Sequence, residues 1–235
     1  ILAIPFYTRL WKTTGGALTS EAIGMDQAQN VIKENKAETI WDGSVGQNTA
    51  SYEKDGYRET LICIYSHVGT HIDPPAHVYE TGLTLDLLPL TQFIGQAIVI
   101  DGSHLRPRES ITMAEINRAG EEVEAADFLL FNTGWDKFWG SEEYFGDYPC
   151  IDDEVLEFIL SKNYKGIGFD VMGIDPISDI SLYRHKKLFR NKQIINIENL
   201  TNLDQCGRGL FNFSCFPLKI RNADGAPTRA VAWWE

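Results

Sequence analysis

Residues 96–102 read QAIVIDG and residues 128–134 read FLLFNTG, two short apolar runs that each end in a glycine. Between them, residues 112–123 read TMAEINRAGEEV, where Thr112 stands three positions before Glu115 and apolar residues recur at helical spacing. A threonine and a glutamate at that spacing form the capping box that starts many helices. The three segments therefore predict a buried strand, a crossover helix and a second buried strand.

The same alternation continues towards the C-terminus. Residues 152–166 (DDEVLEFILSKNYKG) have the apolar period of an amphipathic helix, and residues 166–171 (GIGFDV) read as the next buried strand. A further helix at 180–191 leads into QIINIENL at 193–200. Alternating strands and helices predict an α/β fold with mixed strand pairing around one main sheet.

The chain has 235 residues, 43% of them apolar, which suits a single domain spanning residues 1–235. Residues 1–58 form the N-terminal part of this domain, where the sequence gives few clear secondary-structure signals. Glycines at 15 and 16 and polar residues from 30 to 57 indicate loops there, with one helix around residues 20–34.

Lysine and arginine total 21 against 33 acidic residues, a net charge of -12. Such a chain repels phosphates and anionic headgroups, so neither nucleic acid nor membrane is expected as a partner. No apolar run approaches the roughly 20 residues of a membrane-spanning helix. The expected location is the cytoplasm, although the start at Ile1 leaves a removed leader open. The cysteines form no C-x-x-C pair and are expected to be buried thiols.

Residues 66–77 read SHVGTHIDPPAH, which places three of the five histidines of the chain in one stretch. Side chains alternate between faces along an extended chain, so odd-numbered positions share a face. The chemistry-bearing side chains here are all odd-numbered: His67, His71, Asp73 and His77. In a helix, positions 71 and 73 would lie about 200° apart, and the two prolines would break it. The cluster is therefore predicted at a strand end and the turn after it.

Imidazole and carboxylate together suit zinc or manganese, and three protein ligands leave room for water. Two other interpretations stay open. The histidines can be hydrogen-bonded core or surface residues, or the site can be structural zinc, for which Cys63 has the same parity. Their common face favours metal binding.

HVGTHIDPPAH resembles the H-x-G-T-H-x-D-x-P-x-H signature of the cyclase family, which includes bacterial kynurenine formamidases, isatin hydrolase and related metal-dependent hydrolases. The similarity continues through TLDLLPL, NTGW, GIGFDVMGID, IENL and DGAPTRAVA, over about residues 60 to 232. This resemblance implies a swivelling β/β/α fold with a mixed central sheet. It also implies a homodimer or homotetramer.

By the same resemblance, His67, His71 and Asp73 are ligands of a divalent ion, and His77 is the general base or a partner of the ion's water. His185 and Glu198 match the family's further ligands, so one or two zinc or manganese ions are expected. The residues themselves add support. His185 shares a helical face with the apolar residues around it, and a buried carboxylate such as Glu198 is rare unless it is paired or binds metal.

The resemblance implies an arylformamidase-like hydrolase, acting on a carbon–nitrogen bond other than a peptide bond. The expected reaction is the hydrolysis of N-formylkynurenine, a step of tryptophan catabolism, by metal-bound hydroxide. Isatin hydrolase or another cyclic-amide hydrolase is the first alternative, with a small amide or lactam as substrate in either case. A non-catalytic metal-bound scaffold of the same fold is the second.

Two positions depart from the family pattern. Val78 stands where an aromatic residue is common and Cys150 where glycine is usual, and both bear on substrate identity. The aromatic run at 134–149 is expected to supply pocket walls for a flat aryl group, with core or interface packing as the alternative. The side chains expected to line this pocket are those of Trp135, Phe138 and Trp139.

Overall fold

The computed structural model describes residues 8–14, 17–23, 30, 32–34, 36–42, 47–54, 57–190 and 192–234. They fall into two compact units, within residues 1–65 and 66–235. The expectation of one domain over residues 1–235 stays a prediction. No helix in the described ranges is both long enough and apolar enough to cross a membrane.

The first unit contains two antiparallel groups of strands. Their bounds are β1 Thr8–Thr14, β2 Ala17–Ile23, β3 Thr39–Asp42, β4 Gln47–Lys54 and β5 Tyr57–Cys63. β1 pairs with β2, and β4 pairs with both β3 and β5.

Two expectations for this unit are wrong. A helix is expected around residues 20–34, but residues 20–23 belong to β2 and pair with β1. The described residues 30 and 32–34, at the end of that stretch, are helical. Loops across 30–57 are contradicted where β3 and β4 lie. Antiparallel strands accept polar residues on a solvated face, so polarity alone does not exclude a strand.

The second unit is built on an eight-stranded mixed sheet. Its strands are β6 His71–Asp73, β7 Ile94–Asp101, β9 Phe128–Asn132, β11 Gly166–Phe169, β12 Ile195–Glu198, β13 Phe211–Ser214, β14 Ala226–Pro227 and β15 Val231–Trp233. Across the sheet they lie in the order β14-β6-β12-β11-β9-β7-β13-β15. The short strands β8 Ser110–Ile111 and β10 Cys150–Ile151 form a separate parallel pair. The four central strands run parallel and the outer ones are antiparallel to their neighbours, which confirms the mixed α/β sheet.

Three α-helices belong to this unit: α1 Met113–Ala119, α2 Asp153–Ser161 and α3 Tyr183–Phe189. The predicted capping box is present at α1, where Thr112 Oγ1 accepts the Ala114 N–H and Glu115 Oε2 accepts the Thr112 N–H. Asp152 caps α2 by accepting the Val155 N–H at 2.8 Å.

The sheet is buried on both faces. Along β9, Leu129 and Phe131 pack into one apolar cluster while Phe128 and Leu130 pack into the other. Such two-sided burial is the reason FLLFN reads as a continuous apolar run without alternation. Both clusters hold the strands that carry the site in fixed register.

Candidate metal centre

The antiparallel pairing of β6 with β12 brings distant parts of the chain together. His71 stands opposite Glu198 and Asp73 opposite Asn196. Directly opposed residues project to the same side of a sheet, so their side chains meet. Pro74 ends β6, and Pro75–His77 forms a 3-10 turn. His71 and Asp73 thus lie on a strand end and His77 in the turn after it, as the sequence predicted. His67 instead lies in a bend before β6, separated from the strand by Gly69 at φ 59°.

Three ligand-type atoms meet at this pairing. His71 Nε2 lies 3.3 Å from Asp73 Oδ1 and 3.4 Å from Glu198 Oε2. His71 Nδ1 is 2.8 Å from the Gly69 carbonyl oxygen, so Nε2 is the ring atom left to face the carboxylates. Zinc bonds of about 2.0–2.2 Å place neighbouring tetrahedral ligands about 3.3–3.6 Å apart. The observed spacing fits a divalent ion. His67, Asp73 and His77 form a second group of ligand-type atoms that lie within 4.8 Å of one another.

His185 reaches the same carboxylates from α3. Its Nε2 lies 3.1 Å from Glu198 Oε1 and 3.5 Å from Asp73 Oδ2. Its Nδ1 is 2.6 Å from Asp175 Oδ2, which also accepts the His185 backbone N–H. A carboxylate on one ring nitrogen fixes the tautomer and orientation of an imidazole. His185 is therefore held with Nε2 towards Asp73 and Glu198.

His67 and His77 complete the cluster on its more exposed side. His67 Nδ1 lies 2.7 Å from Asp73 Oδ1, while its buried Nε2 has no hydrogen-bond partner among the described residues. A Cβ on Gly225 would meet the His67 ring at 2.4 Å, so glycine is required there to make room for the imidazole. The His77 ring centroid lies 4.1 Å from that of His67 and 5.5 Å from that of His185.

The charges at this centre are carboxylates and imidazoles. Asp73 is fully buried and Glu198 nearly so, and within the described ranges no lysine or arginine nitrogen comes within 4.0 Å of either carboxylate. Buried carboxylates without a matched cation cost several kcal/mol, on the order of the penalty for burying one ion. The donor set and its burial both favour a bound cation.

Burial and the neighbouring charges shift the pKa values of His71, His185 and His77. Burial opposes protonation of His71, but the carboxylates of Asp73 and Glu198 outweigh it and raise the His71 pKa to about 9. At His185 burial is likewise outweighed, by hydrogen bonds to Asp175 and the same two carboxylates, and the pKa rises to about 12. His77 behaves in the opposite way, because burial lowers its pKa to about 4.

The two carboxyl groups also diverge. Burial would raise the pKa of Asp73, yet the His71 charge and the hydrogen bonds from the imidazoles hold it well below the usual value. Burial and the neighbouring Asp73 charge raise the pKa of Glu198. Asp73 is therefore the more strongly anionic of the pair.

A cavity of about 370 Å³ opens beside the cluster. Its walls include His67, His71, His77, His185 and Glu198. The rest of the wall is partly apolar, with Met172, Ile177, Ile180 and Leu182. A polar reacting end and an apolar wall can hold a small molecule by its ring while presenting a polar group to the cluster.

The aromatic residues predicted as pocket walls lie elsewhere. Trp135 is buried, donates through Nε1 to the Tyr144 carbonyl, and packs edge-on against Phe138. Trp139 packs against the Tyr144 ring, whose hydroxyl bonds to Asn199 at 2.5 Å. The 370 Å³ cavity is not lined by Trp135, Phe138 or Trp139. Their contact with substrate stays a prediction.

Sequence reasoning missed three polar residues that hold the cluster. Asn196 contacts both carboxylates, Asp175 holds His185, and the Asn199 amide donates to the Gly69 carbonyl at 2.9 Å. The signal for Asn196 was available, because it lies two positions before Glu198 on a strand and so shares its face. The Asn199 contact spans 130 residues and the Asp175 contact with His185 spans ten, and neither follows from a helix or strand periodicity.

Known proteins similar to this chain include metal-dependent hydrolases. The family model described as "Putative cyclase" matches residues 3–176. The kynurenine formamidase of Bacillus cereus is 33% identical over 165 residues, which cover 70% of this chain and 75% of the relative. A solved structure of a potential metal-dependent hydrolase with cyclase activity is 29% identical, with a TM-score of 0.63 over 74% of this chain and 82% of that one. An isatin hydrolase bound to the product analogue thioisatinate shares the fold, with a TM-score of 0.69 at 23% identity over 89% of this chain and 98% of that one.

The family match reaches into the N-terminal part that was hardest to interpret, and it stops before His185 and Glu198. The placement of those two side chains beside the motif histidines comes from the fold. The extent of the match and the identity to the formamidase are decisive: this chain is a member of the cyclase family.

Proposed function

We propose that this protein is a metal-dependent hydrolase of small amides, cleaving a carbon–nitrogen bond outside a peptide, with N-formyl aryl amides such as N-formylkynurenine as the first substrate class. One observation carries the proposal: beside a cavity, the buried His71 Nε2 lies 3.3 Å from Asp73 Oδ1 and 3.4 Å from Glu198 Oε2. The formamidase relative supports the choice of reaction.

His71, Asp73 and Glu198 would hold the ion, with His67 as a further ligand from the exposed side. When bound, zinc or manganese polarises a carbonyl oxygen and lowers the pKa of a coordinated water from about 15.7 to around 7. Asp73 and Glu198 supply two negative charges against a divalent cation, so the centre is close to neutral before substrate enters.

His77 would move the proton. Its pKa of about 4 leaves the imidazole neutral at neutral pH, so it can accept a proton from water. Once protonated, His77 would be more acidic than an ordinary imidazolium, which favours return of that proton to the leaving nitrogen. The adjoining Asp73 charge raises the His77 pKa, against the lowering by burial, and so supports the transient imidazolium.

The cavity supports an aryl substrate. Met172, Ile177 and Leu182 offer apolar surface for a ring, and the histidines lie at the polar end. A ring seated against that wall would present its amide to His77 and the ion ligands. The 370 Å³ volume is within the range of about 300–1,000 Å³ usual for small-molecule sites.

A substrate panel tests the reaction. The protein is loaded with zinc and with manganese in parallel and assayed against N-formylkynurenine, a simple N-formyl aryl amide and isatin. We expect the formyl amides to be hydrolysed fastest and a chelator to abolish turnover. Preference for isatin would make the protein a cyclic-amide hydrolase. Failure of the ion-loaded protein on every member would support the non-catalytic scaffold instead.

His77→Ala tests the proposed proton transfer. We expect turnover to fall by a factor of about 10²–10⁴, the usual contribution of a positioned acid–base group, while ion content stays constant. His104→Ala is the matched control, because His104 pairs with Glu115 away from the cavity. Loss of bound ion in His77→Ala would make His77 a ligand and refute its assignment as the base.

The assembly implied by the family resemblance and the cytoplasmic location expected from the sequence belong to the same proposal. A homodimer or homotetramer would give a molar mass two or four times the 26.5 kDa of the chain. Light scattering coupled to gel filtration measures this directly, and a monomer at working concentration would contradict it. Fractionation of the source cells tests the cytoplasmic location.

A further inference from the structure

Asn196 has an unusual position in the cluster. It is fully buried on β12, opposite Asp73 in the strand pairing. Its side-chain amide nitrogen, Nδ2, lies 3.2 Å from Asp73 Oδ2, 2.7 Å from Glu198 Oε1 and 3.3 Å from His185 Nε2. One neutral amide group thus contacts three ligand-type atoms.

Those three atoms are the ones a second ion would need. The ion position defined by His71 uses Asp73 Oδ1 and Glu198 Oε2. The remaining oxygens, Asp73 Oδ2 and Glu198 Oε1, face His185 Nε2 at 3.5 and 3.1 Å. A second cation bridging the two carboxylates would bind to these two oxygens and to His185.

The orientation of the Asn196 amide decides what it does there. With Nδ2 towards the carboxylates, the N–H groups donate to both oxygens. The reverse orientation would point the amide oxygen at two carboxylate oxygens without a proton between them. The observed orientation is adopted although it leaves Asn196 Oδ1 buried without a hydrogen-bond partner in the described part of the chain. The carboxylates therefore fix the amide with its protons towards the second position.

An amide nitrogen of this kind donates hydrogen bonds and has no lone pair to offer a cation. A cation bound to Asp73 Oδ2, Glu198 Oε1 and His185 Nε2 would face the Asn196 N–H groups at contact distance. We propose that Asn196 fills the second cation position with its amide group, so that this chain binds one divalent ion, at the position defined by His71, Asp73 and Glu198. The inference rests on the proposed function, because it assumes an ion at that first position.

Under this arrangement His185 is a positioning residue. It holds Glu198 Oε1 through Nε2 and is itself held by Asp175, while Asn196 ties Glu198 to Asp73. The free oxygens of the two carboxylates are then directed at a single ion.

The test is ion stoichiometry, which needs no substrate. The full chain is stripped with chelator, reloaded with excess zinc or manganese, desalted and analysed for metal per chain. Calorimetric titration measures the same number in solution. Manganese adds a spectroscopic readout, since two ions sharing carboxylates give an exchange-coupled paramagnetic resonance signal and a lone ion gives a six-line one.

We expect one ion per chain and an uncoupled manganese signal in the natural sequence. Asn196→Ala removes the amide and leaves the three ligand-type atoms free, so it should bind two ions and show the coupled signal. Asn196→Asp is the second variant if alanine does not fold, since an added carboxylate also calls for a second cation. Asn132→Ala is the control, a buried asparagine on the same sheet whose amide oxygen contacts the Gly134 N–H, and it should keep one ion.

Two tightly bound ions in the natural sequence would overturn the inference and leave the proposed function standing. One ion in both the natural protein and a folded Asn196→Ala would overturn the assignment to Asn196. A chain that binds no ion would overturn the proposed function and this inference together.

Discussion

Removing the ion should make the stability of this protein fall as pH rises through the neutral range. In the chelated protein, the imidazoles of His71 and His185 take over as cationic partners of Asp73 and Glu198. Their folded-state pKa values, about 9 and about 12, lie above the unfolded value of about 6.5. A group with a raised folded pKa stabilises the fold fully below its unfolded pKa, and that contribution is lost as pH rises towards the folded pKa.

The size follows from the same values. Between pH 6.5 and 8.0, linkage gives a loss of about 1.6 kcal/mol for each imidazole, or about 3 kcal/mol for both, with the sum as the upper limit because they share the same carboxylates. For a urea dependence of about 2 kcal/mol per molar, the unfolding midpoint falls by up to about 1.5 M.

Between pH 6.5 and 8.0, His77 and Cys150 contribute little to the change in stability. The folded pKa of His77 is lowered to about 4, so rising pH adds stability mainly between about pH 4 and 6.5, and only about 0.4 kcal/mol of this gain remains above pH 6.5. Burial raises the pKa of the Cys150 thiol to about 12, so thiol ionisation in the unfolded chain reduces stability only above about pH 8.

The assay is urea unfolding followed by circular dichroism, at pH 6.5 and 8.0, with chelator and with excess zinc. With zinc, the ion replaces the proton on His71 and the decline should be smaller. His71→Gln should remove about half of the decline in chelator, and His104→Gln should leave it unchanged. A chelated protein equally or more stable at pH 8.0 would refute the assignment of protonated imidazoles as substitutes for the ion.

Three further outcomes follow from the site. The apparent affinity for zinc should rise about tenfold per pH unit between pH 6 and 8, because binding displaces the proton of His71; a calorimetric affinity independent of pH would contradict this. Gly225→Ala should lower zinc affinity by about 10–100-fold, the usual effect of changing a residue that orients a metal ligand. The reason is that a Cβ at this position meets the His67 ring at 2.4 Å. An unchanged affinity would show that His67 is not a ligand. Asp170→Asn should lower the free energy of unfolding by about 3 kcal/mol, because the Asp170 carboxylate accepts hydrogen bonds from the backbone N–H groups of Thr133 and Gly134. An unshifted midpoint in urea unfolding would show that these hydrogen bonds do not stabilise the fold.

The sequence by itself determined the parts that depend on local order. The period of two, interrupted by Pro74 and Pro75, placed His71 and Asp73 on one face of a strand end, and β6 and the turn after it have this form. His67 lies in a bend before β6 and not on the strand. The alternation of apolar runs and amphipathic segments predicted β7, α1 and β9, because buried strands and capped helices have local signatures. Local signals failed where strands are polar, as in β3 and β4.

The tertiary structure decided which residues complete the site. Glu198 meets His71 because β12 pairs antiparallel with β6 in one register, and a shift by one residue would turn Glu198 to the opposite face. Resemblance to a family could name His185 and Glu198, but it could not show that Asn196 lies between their ligand atoms. The hydrogen bond between Asn196 and Asp73 joins strands 123 residues apart in sequence, so it depends on the packed fold and no pattern along the chain encodes it.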